Sequence, residues 1–181
     1  ARAIGAVNTL WWEDGRLVGG NTDAIGFIGN IDERVPGWSE GGGRAVVAGA
    51  GGATRAIVYG LLGRGLEVAL CNRTVSKAQA LADHFGRGVT AHGSAAIPGL
   101  LVDADLLVNA TSLGMVGQPR LEIDLSPLKP SAVVYDTVDG LGMLLHQAVE
   151  GFRHWFGRTP EITPELRRIL VDDIRAKTPG A

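Results

Sequence analysis

The chain has 181 residues, 45% of them hydrophobic and 20% charged, with a formal net charge of −2 at pH 7. Those values suit a soluble globular protein of one domain, or one plus part of a second, and they argue against nucleic acid or an acidic membrane surface as partner. No apolar run nears the roughly 20 residues that cross a bilayer, and a single cysteine, Cys71, excludes an internal disulfide and a cysteine-based metal cluster, so a reducing, cytoplasmic setting is expected.

Gly5 to Trp12 and Arg16 to Asn21 read as two strands around the turn Glu13-Asp14-Gly15. Ile25, Ile28, Ile31 and Val35 recur at helical spacing, so a helix is predicted over Ala24–Val35, stopping at Pro36. Ser39 to Gly43 reads as a linker. Beyond it the pattern alternates. Short apolar runs at 44–48, 67–71, 89–91, 105–110 and 132–135 read as buried strands, and helices are predicted over 53–64, 74–85, 141–156 and 164–176. Thr74 and Thr163 are placed to cap their helices, and Pro164 suits a first helical position. This order predicts an α/β fold with a doubly wound, Rossmann-like parallel sheet covered on both faces. The four tryptophans, Trp11, Trp12, Trp38 and Trp155, read as packing residues.

Glycine is the compositional excess, at 27 residues without a collagen period. In Val46-Val47-Ala48-Gly49-Ala50-Gly51-Gly52-Ala53-Thr54 the glycines stand where a strand should end and a helix begin. A helix N-terminus presents unpaired N–H groups and partial positive charge, so a pyrophosphate can rest there. Gly49 would permit the turn, Gly51 the close approach of phosphates, and Gly52 and Ala53 the packing of the helix start. Thr54 departs from the GxGxxG pattern at its last position. A plain glycine-rich loop is the bland alternative.

A site for NAD usually carries Asp or Glu after the second strand, on the ribose 2′-hydroxyl. Here that strand runs into Cys71-Asn72-Arg73-Thr74, with no acid. Arg73 can pair with a 2′-phosphate, and Asn72 and Thr74 can hydrogen-bond it, which points to NADP; a solvated surface arginine is the alternative. The loop 109–115, NATSLGM, follows another strand and is expected to border the cofactor through Thr111 and Met115.

These motifs together resemble the shikimate dehydrogenase family. The similar stretches are Gly5 to Thr9, Gly20-Asn21-Thr22-Asp23-Ala24-Ile25-Gly26-Phe27, GAGGAT at 49–54, Asn72-Arg73-Thr74, NATSLGM at 109–115, and Asp139-Gly140-Leu141-Gly142-Met143-Leu144-Leu145-His146-Gln147-Ala148. The resemblance implies reversible reduction of 3-dehydroshikimate to shikimate by NADPH, a step of chorismate and aromatic amino-acid biosynthesis, with a small-molecule substrate and no nucleic-acid or membrane partner. A homodimer stays open as the assembly. It implies that Asp23 is the catalytic aspartate, that Asn8 and Gln147 bind the substrate beside it, and that Gly140 and Met115 lie near the nicotinamide end. A helix cap is the ordinary alternative for Asp23. His146 is not expected to act, because neighbouring helical residues point about 100° apart and Gln147 takes the ligand side.

The implied domains are 1–23 with 141–181 as part of a substrate-binding domain, and 24–140 as the NADP-binding domain. The chain has no initiator Met and no signal-peptide pattern at its start, ARAIGAVNT. A further substrate-binding region, carrying a serine pair and the lysine that partners Asp23, is expected upstream. Lys77, Lys129 and Lys177 match no motif for that lysine. A parallel βα step needs at least about 10–12 residues, yet Val133 to Gly140 runs from a strand almost directly into a helix. Roughly 20 to 30 residues are therefore expected to be missing around Asp136–Thr137 relative to the family, with residues outside this sequence preferred to cleavage or natural deletion. A quinate/shikimate dehydrogenase of relaxed cofactor choice and a non-catalytic nucleotide-binding protein are the competing readings.

Overall fold

The computed structural model describes residues 1–138 and 140–177; Asp139 of the DGLGMLLHQ motif lies outside them. Strands β1 (Thr9–Glu13) and β2 (Arg16–Gly20) pair antiparallel, with Thr9 opposite Gly20. Asp14 and Gly15 both take positive φ, 49° and 72°, the conformation that lets a two-residue turn match the twist of its strands. The first strand is shorter than the sequence predicts. Residues before it turn back on themselves, Gly5 N–H bonding Ala1 O, and Ile4 is buried against Ala24 and Ala56.

Helix α1 (Asp23–Arg34) leads into β3 (Gly43–Ala48), α2 (Gly52–Gly63), β4 (Leu66–Asn72), α3 (Val75–Phe85) and β5 (Val89–Gly93). A 3-10 turn at Ser94–Ala96 precedes α4 (Ile97–Leu101), followed by β6 (Leu106–Asn109), β7 (Val133–Asp136), α5 (Leu141–Phe156) and α6 (Pro164–Lys177). The five strands after β2 form one parallel sheet in the order β5-β4-β3-β6-β7. The chain winds outward from β3 to β5, then returns to β3 and winds the other way. That reversal opens a crevice at the carboxyl ends of β3 and β6.

Strand alternation builds two cores. Ala45, Val47, Val68 and Leu70 pack with Phe27 of α1, Ile57 and Leu61 of α2, and Leu81 of α3. Val46, Ala48, Ala69 and Leu107 pack on the opposite face with Ile97 and Leu101 of α4. Each Val, Leu, Ile or Phe among them contributes roughly 1.5–3 kcal/mol by leaving water, which binds the helices to the sheet. Among the described residues no helix is long and apolar enough to cross a membrane.

Three local expectations change. Thr163 does cap α6, accepting the Leu166 N–H at 3.2 Å, but Thr74 makes no side-chain cap bond to α3; the Asn72 amide instead donates to the Thr74 carbonyl. Trp12 is 72% exposed and Trp155 56%; Leu10 and Leu17, on the same face of the two-stranded sheet as Trp12, are exposed as well. Trp11 stacks on His154 and Trp155 donates its indole N–H to Leu10 O, so these two still tie the hairpin to α5.

The sheet is not covered on both faces throughout. Tyr135 of β7 is buried beside Phe27 and accepts a hydrogen bond from Asn30. Its neighbour Val134 faces the other way and is 51% exposed. Only residues 137–140 separate β7 from α5.

Candidate active site

The crevice holds a cleft of about 780 Å³ lined by Gly49, Ala50 and Gly51 after β3, Asn72, Arg73 and Thr74 after β4, and Ala110 to Leu113 after β6. Its outer wall comes from residues 94–98 and 118–124. Gly52 and Ala53 start α2 behind the loop and do not line the cleft. Gly49 adopts φ 109°, and a Cβ there would stand 2.8 Å from Ala110 O, so only glycine allows the β3 and β6 exits to lie this close. At Gly51 and Gly52 an added Cβ would meet nothing within 4 Å, so the loop leaves open space above the helix N-terminus. No acidic residue stands in the first turn of α2 to repel an anion.

Thr54, the departure from GxGxxG, closes the loop. It is fully buried, donates its hydroxyl proton to Gly49 O at 3.2 Å and accepts the Gly51 N–H at 3.1 Å. Asn109 does the same for the facing loop. Its amide donates to Asp136 Oδ1 and Leu113 O, and its oxygen accepts the Thr111 N–H and hydroxyl. The Thr111 hydroxyl also accepts the Leu113 N–H, so its hydrogen is already committed inside the loop. Met115 and Gly140 do not line the cleft.

Lys77 lines the cleft as well, one turn into α3 from Arg73, with its N–H on Thr74 O. Sequence reasoning passed over it. The available signal was a cation in the first turn of a helix, where the helix dipole disfavours positive charge unless an anion binds there. Glu122 and Asp124 stand on the outer wall, and two hydrogen bonds from Ser126, through its backbone N–H first and its hydroxyl second, hold the Asp124 carboxyl below its usual range.

A second polar cluster joins the hairpin to α1. Asn8 donates to Asp23 Oδ1 at 2.8 Å, while its own oxygen accepts the Thr22 N–H at 2.9 Å and the Thr9 hydroxyl at 2.9 Å. Asn21 Oδ1 accepts the Asp23 N–H, and the Asn21 amide lies 3.4 Å from Asp23 Oδ2. Thr22 occupies the cap position and Asp23 is the first helical residue, so the carboxylate is not a helix cap: it faces the hairpin. Gln147 reaches the same region from α5, since a Cβ on Gly26, one turn after Asp23, would lie 2.5 Å from Gln147 Cγ. The structure therefore joins Asn8 to Asp23 and packs Gln147 on Gly26, one helical turn from Asp23, and none of the three lines the cofactor-sized cleft. The three lysines sit elsewhere: Lys77 in the cleft, Lys129 on Asp105 and Lys177 on Asp173. His146 bonds Glu33 on α1.

The model of the Shikimate / quinate 5-dehydrogenase family matches residues 37–118, and that of the Shikimate 5'-dehydrogenase C-terminal domain matches residues 140–164. The Shikimate dehydrogenase (NADP(+)) of Chelativorans sp. (strain BNC1) is 51% identical across 97% of this chain and 70% of its own length. This chain belongs to the shikimate dehydrogenase family. The solved family fold agrees. Quinate dehydrogenase from Corynebacterium glutamicum in complex with NAD superposes with a TM-score of 0.81 at 29% identity, over 94% of this chain and 69% of that one. Shikimate 5-dehydrogenase from Thermus thermophilus, in complex with NADP(H) and shikimate, gives 0.74 at 33% identity, over 88% and 66%. The alignment to the Chelativorans relative spans 197 positions, whereas 97% of 181 residues is about 176. About 20 aligned positions of this family relative thus have no residue of this chain opposite them.

Proposed function

We propose that this chain carries the NADP-binding domain, residues 24–140, and part of the substrate-binding domain, residues 1–23 and 141–181, of an enzyme that reversibly reduces 3-dehydroshikimate to shikimate. The observation that carries the reading is the open glycine loop at the α2 N-terminus beside Arg73, supported by the Asn8–Asp23 hydrogen bond at the junction of hairpin and α1 and by Gln147 packed on Gly26 one turn further on.

The residues fit NADP(H). Gly51 and Gly52 leave room for a pyrophosphate over free helix N–H groups, and Arg73 and Lys77 offer two cations to a 2′-phosphate. Asn72 and Thr74 stand beside them, and Ala50, Gly49 and Thr111 shape the floor. When bound, NADPH supplies the hydride. The chain's own part is to bind, orient and manage the proton. Asn8 holds Asp23 Oδ1, and Oδ2, whose hydrogen-bond partner among the described residues is the Asn21 amide at a long 3.4 Å, is the oxygen that can share a proton with a substrate hydroxyl. Reduction of a ketone builds alkoxide charge, and a positioned proton donor contributes about 10²–10⁴-fold to such a step. Gln147 can donate and accept on the far side of the substrate. Cys71, buried beneath the cleft, suits a reducing cytoplasm.

Shikimate-dependent reduction of NADP⁺, followed at the nicotinamide absorbance band, tests the reading. Activity with shikimate and NADP⁺ supports it. Activity only with quinate and NAD⁺ would favour the quinate-type enzyme, and tight NADP⁺ binding without turnover of either substrate would favour a nucleotide-binding protein.

A further inference from the structure

Helices α1 and α5 cross at close range through glycines on both sides. A Cβ on Gly26 would stand 2.5 Å from Met143 O and from Gln147 Cγ, one on Gly29 2.9 Å from His146 Nδ1, and one on Gly142 2.0 Å from Asn30 Oδ1. The glycines bring the backbones together and seat Asn30, His146 and Gln147 in the seam. A polar cluster at its far end adds a directional stop to this packing. His146 Nε2 lies 3.0 Å from Glu33 Oε2, and the same oxygen takes the guanidinium of Arg167 from α6. Arg34 adds charge from α1. One carboxylate thus ties α1, α5 and α6.

His146 directly precedes Gln147. On a helix the two directions are fixed about 100° apart, so holding His146 over Gly29 and on Glu33 holds Gln147 over Gly26. Asp23 begins the helix that carries Gly26, Gly29 and Glu33. Rotation of α5 by a fraction of a turn would carry Gln147 off Gly26, and so away from the turn that begins with Asp23, without disturbing the cofactor cleft, whose lining includes no residue of α1 or α5.

We infer that the Glu33–His146–Arg167 cluster positions the substrate amide: it fixes the rotation of α5 on α1 and so aims Gln147 at the Asp23 end of the seam. His146 is then a positioning residue, acting through Gln147. The inference rests on the substrate role proposed for Gln147, so the experiment has one arm that needs turnover and one that does not.

With shikimate and NADP⁺, His146→Ala is expected to raise the shikimate KM about five- to tenfold, the cost of one lost charge-assisted hydrogen bond. kcat should stay within about twofold and the NADP⁺ Kd unchanged, since the substrate contact loosens while chemistry and cofactor binding do not. His146→Gln, whose amide can still donate to Glu33, is expected to restore most of the KM. An unchanged KM in His146→Ala, or equal losses in KM, kcat and NADP⁺ affinity, would overturn the positioning role. If the wild-type chain itself turns over no shikimate, the function reading fails and the second arm decides the inference. Amide hydrogen exchange in His146→Ala should then quicken across 25–31 and 144–148 but not across 49–54. Uniform or absent change would overturn it.

Discussion

The Thr54 hydroxyl bridges the two ends of the glycine loop, donating to Gly49 O and accepting from Gly51 N–H. A glycine at that position, as in the familiar pattern, would leave both groups to other partners. Thr54→Val keeps the shape and removes both bonds. It is expected to cost about 1–3 kcal/mol, because a buried acceptor and a loop donor are left unmatched, with weaker NADP⁺ binding alongside. Thr54→Ser should retain both properties. Urea unfolding and NADP⁺ titration of the two variants measure this; equal behaviour of Val and Ser would show that the hydroxyl contributes nothing.

Gly49→Ala places a Cβ at φ 109° and 2.8 Å from Ala110 O. Either effect alone strains the loop. The expected result is a fall of about 1–3 kcal/mol in stability, together with loss of NADP⁺ affinity. Wild-type affinity in this variant would mean that the β3 and β6 exits can part without consequence for the site.

Arg73→Ala and Lys77→Ala should each weaken NADP⁺ by about tenfold, the scale of one charge-assisted phosphate contact, while leaving NAD⁺ nearly unaffected. Parallel isothermal titrations with the two nucleotides decide it. A variant that weakens both equally is not touching the 2′-phosphate.

Asp23→Asn is expected to lower kcat by about 10²–10⁴-fold with the NADPH Kd unchanged. The carboxylate is not a cap, so melting temperature should move little. A large loss of stability together with cofactor affinity would return Asp23 to a structural role.

The Glu33 carboxyl sits below its ordinary value of 4.5, chiefly through the His146 hydrogen bond and, after an opposing effect of burial, through Arg167. A carboxyl depressed in the folded state stabilises the protein above its unfolded value, and that stabilisation is lost as pH falls through the lower folded value. Wild type should therefore be more stable than Glu33→Gln at neutral pH, with the gap narrowing as the pH is taken below the carboxyl's ordinary value of 4.5. A gap that does not narrow on acidification would assign the effect to packing. Glu33 is 43% exposed, so solvent will keep the gap small.

The sheet, the hairpin and the cofactor loop were legible in the sequence because their signals are local: alternating aliphatic runs, Asp14-Gly15, and glycines between a strand and a helix. Helix α4 was not, since Pro98 and Gly99 fall within its five residues and hide any helical period. Thr54 looked like a defect in a pattern until its two bonds were seen. Lys77 matched no motif in the sequence, and only the fold places it in the cleft. The seating of Gln147 on Gly26, one turn from Asp23, depends on how closely α1 and α5 cross, and that distance is set by Gly26, Gly29 and Gly142, on segments more than a hundred residues apart in sequence. No local pattern encodes it. Only the family likeness had placed those residues together.

Among the described residues the sheet has no strand beyond β7, and this gives the cofactor two unequal handholds. Every cleft-lining residue comes from the exits of β3, β4 and β6, from Lys77 or from 94–98 and 118–124, with none from β7 or the start of α5. The adenosine end of NADP would meet a finished wall and the nicotinamide end a sparse one. A fragment such as adenosine 2′,5′-bisphosphate is then expected to capture most of the affinity of the whole nucleotide, whereas nicotinamide mononucleotide should bind hardly at all. The molecule would grip its cofactor by the tail.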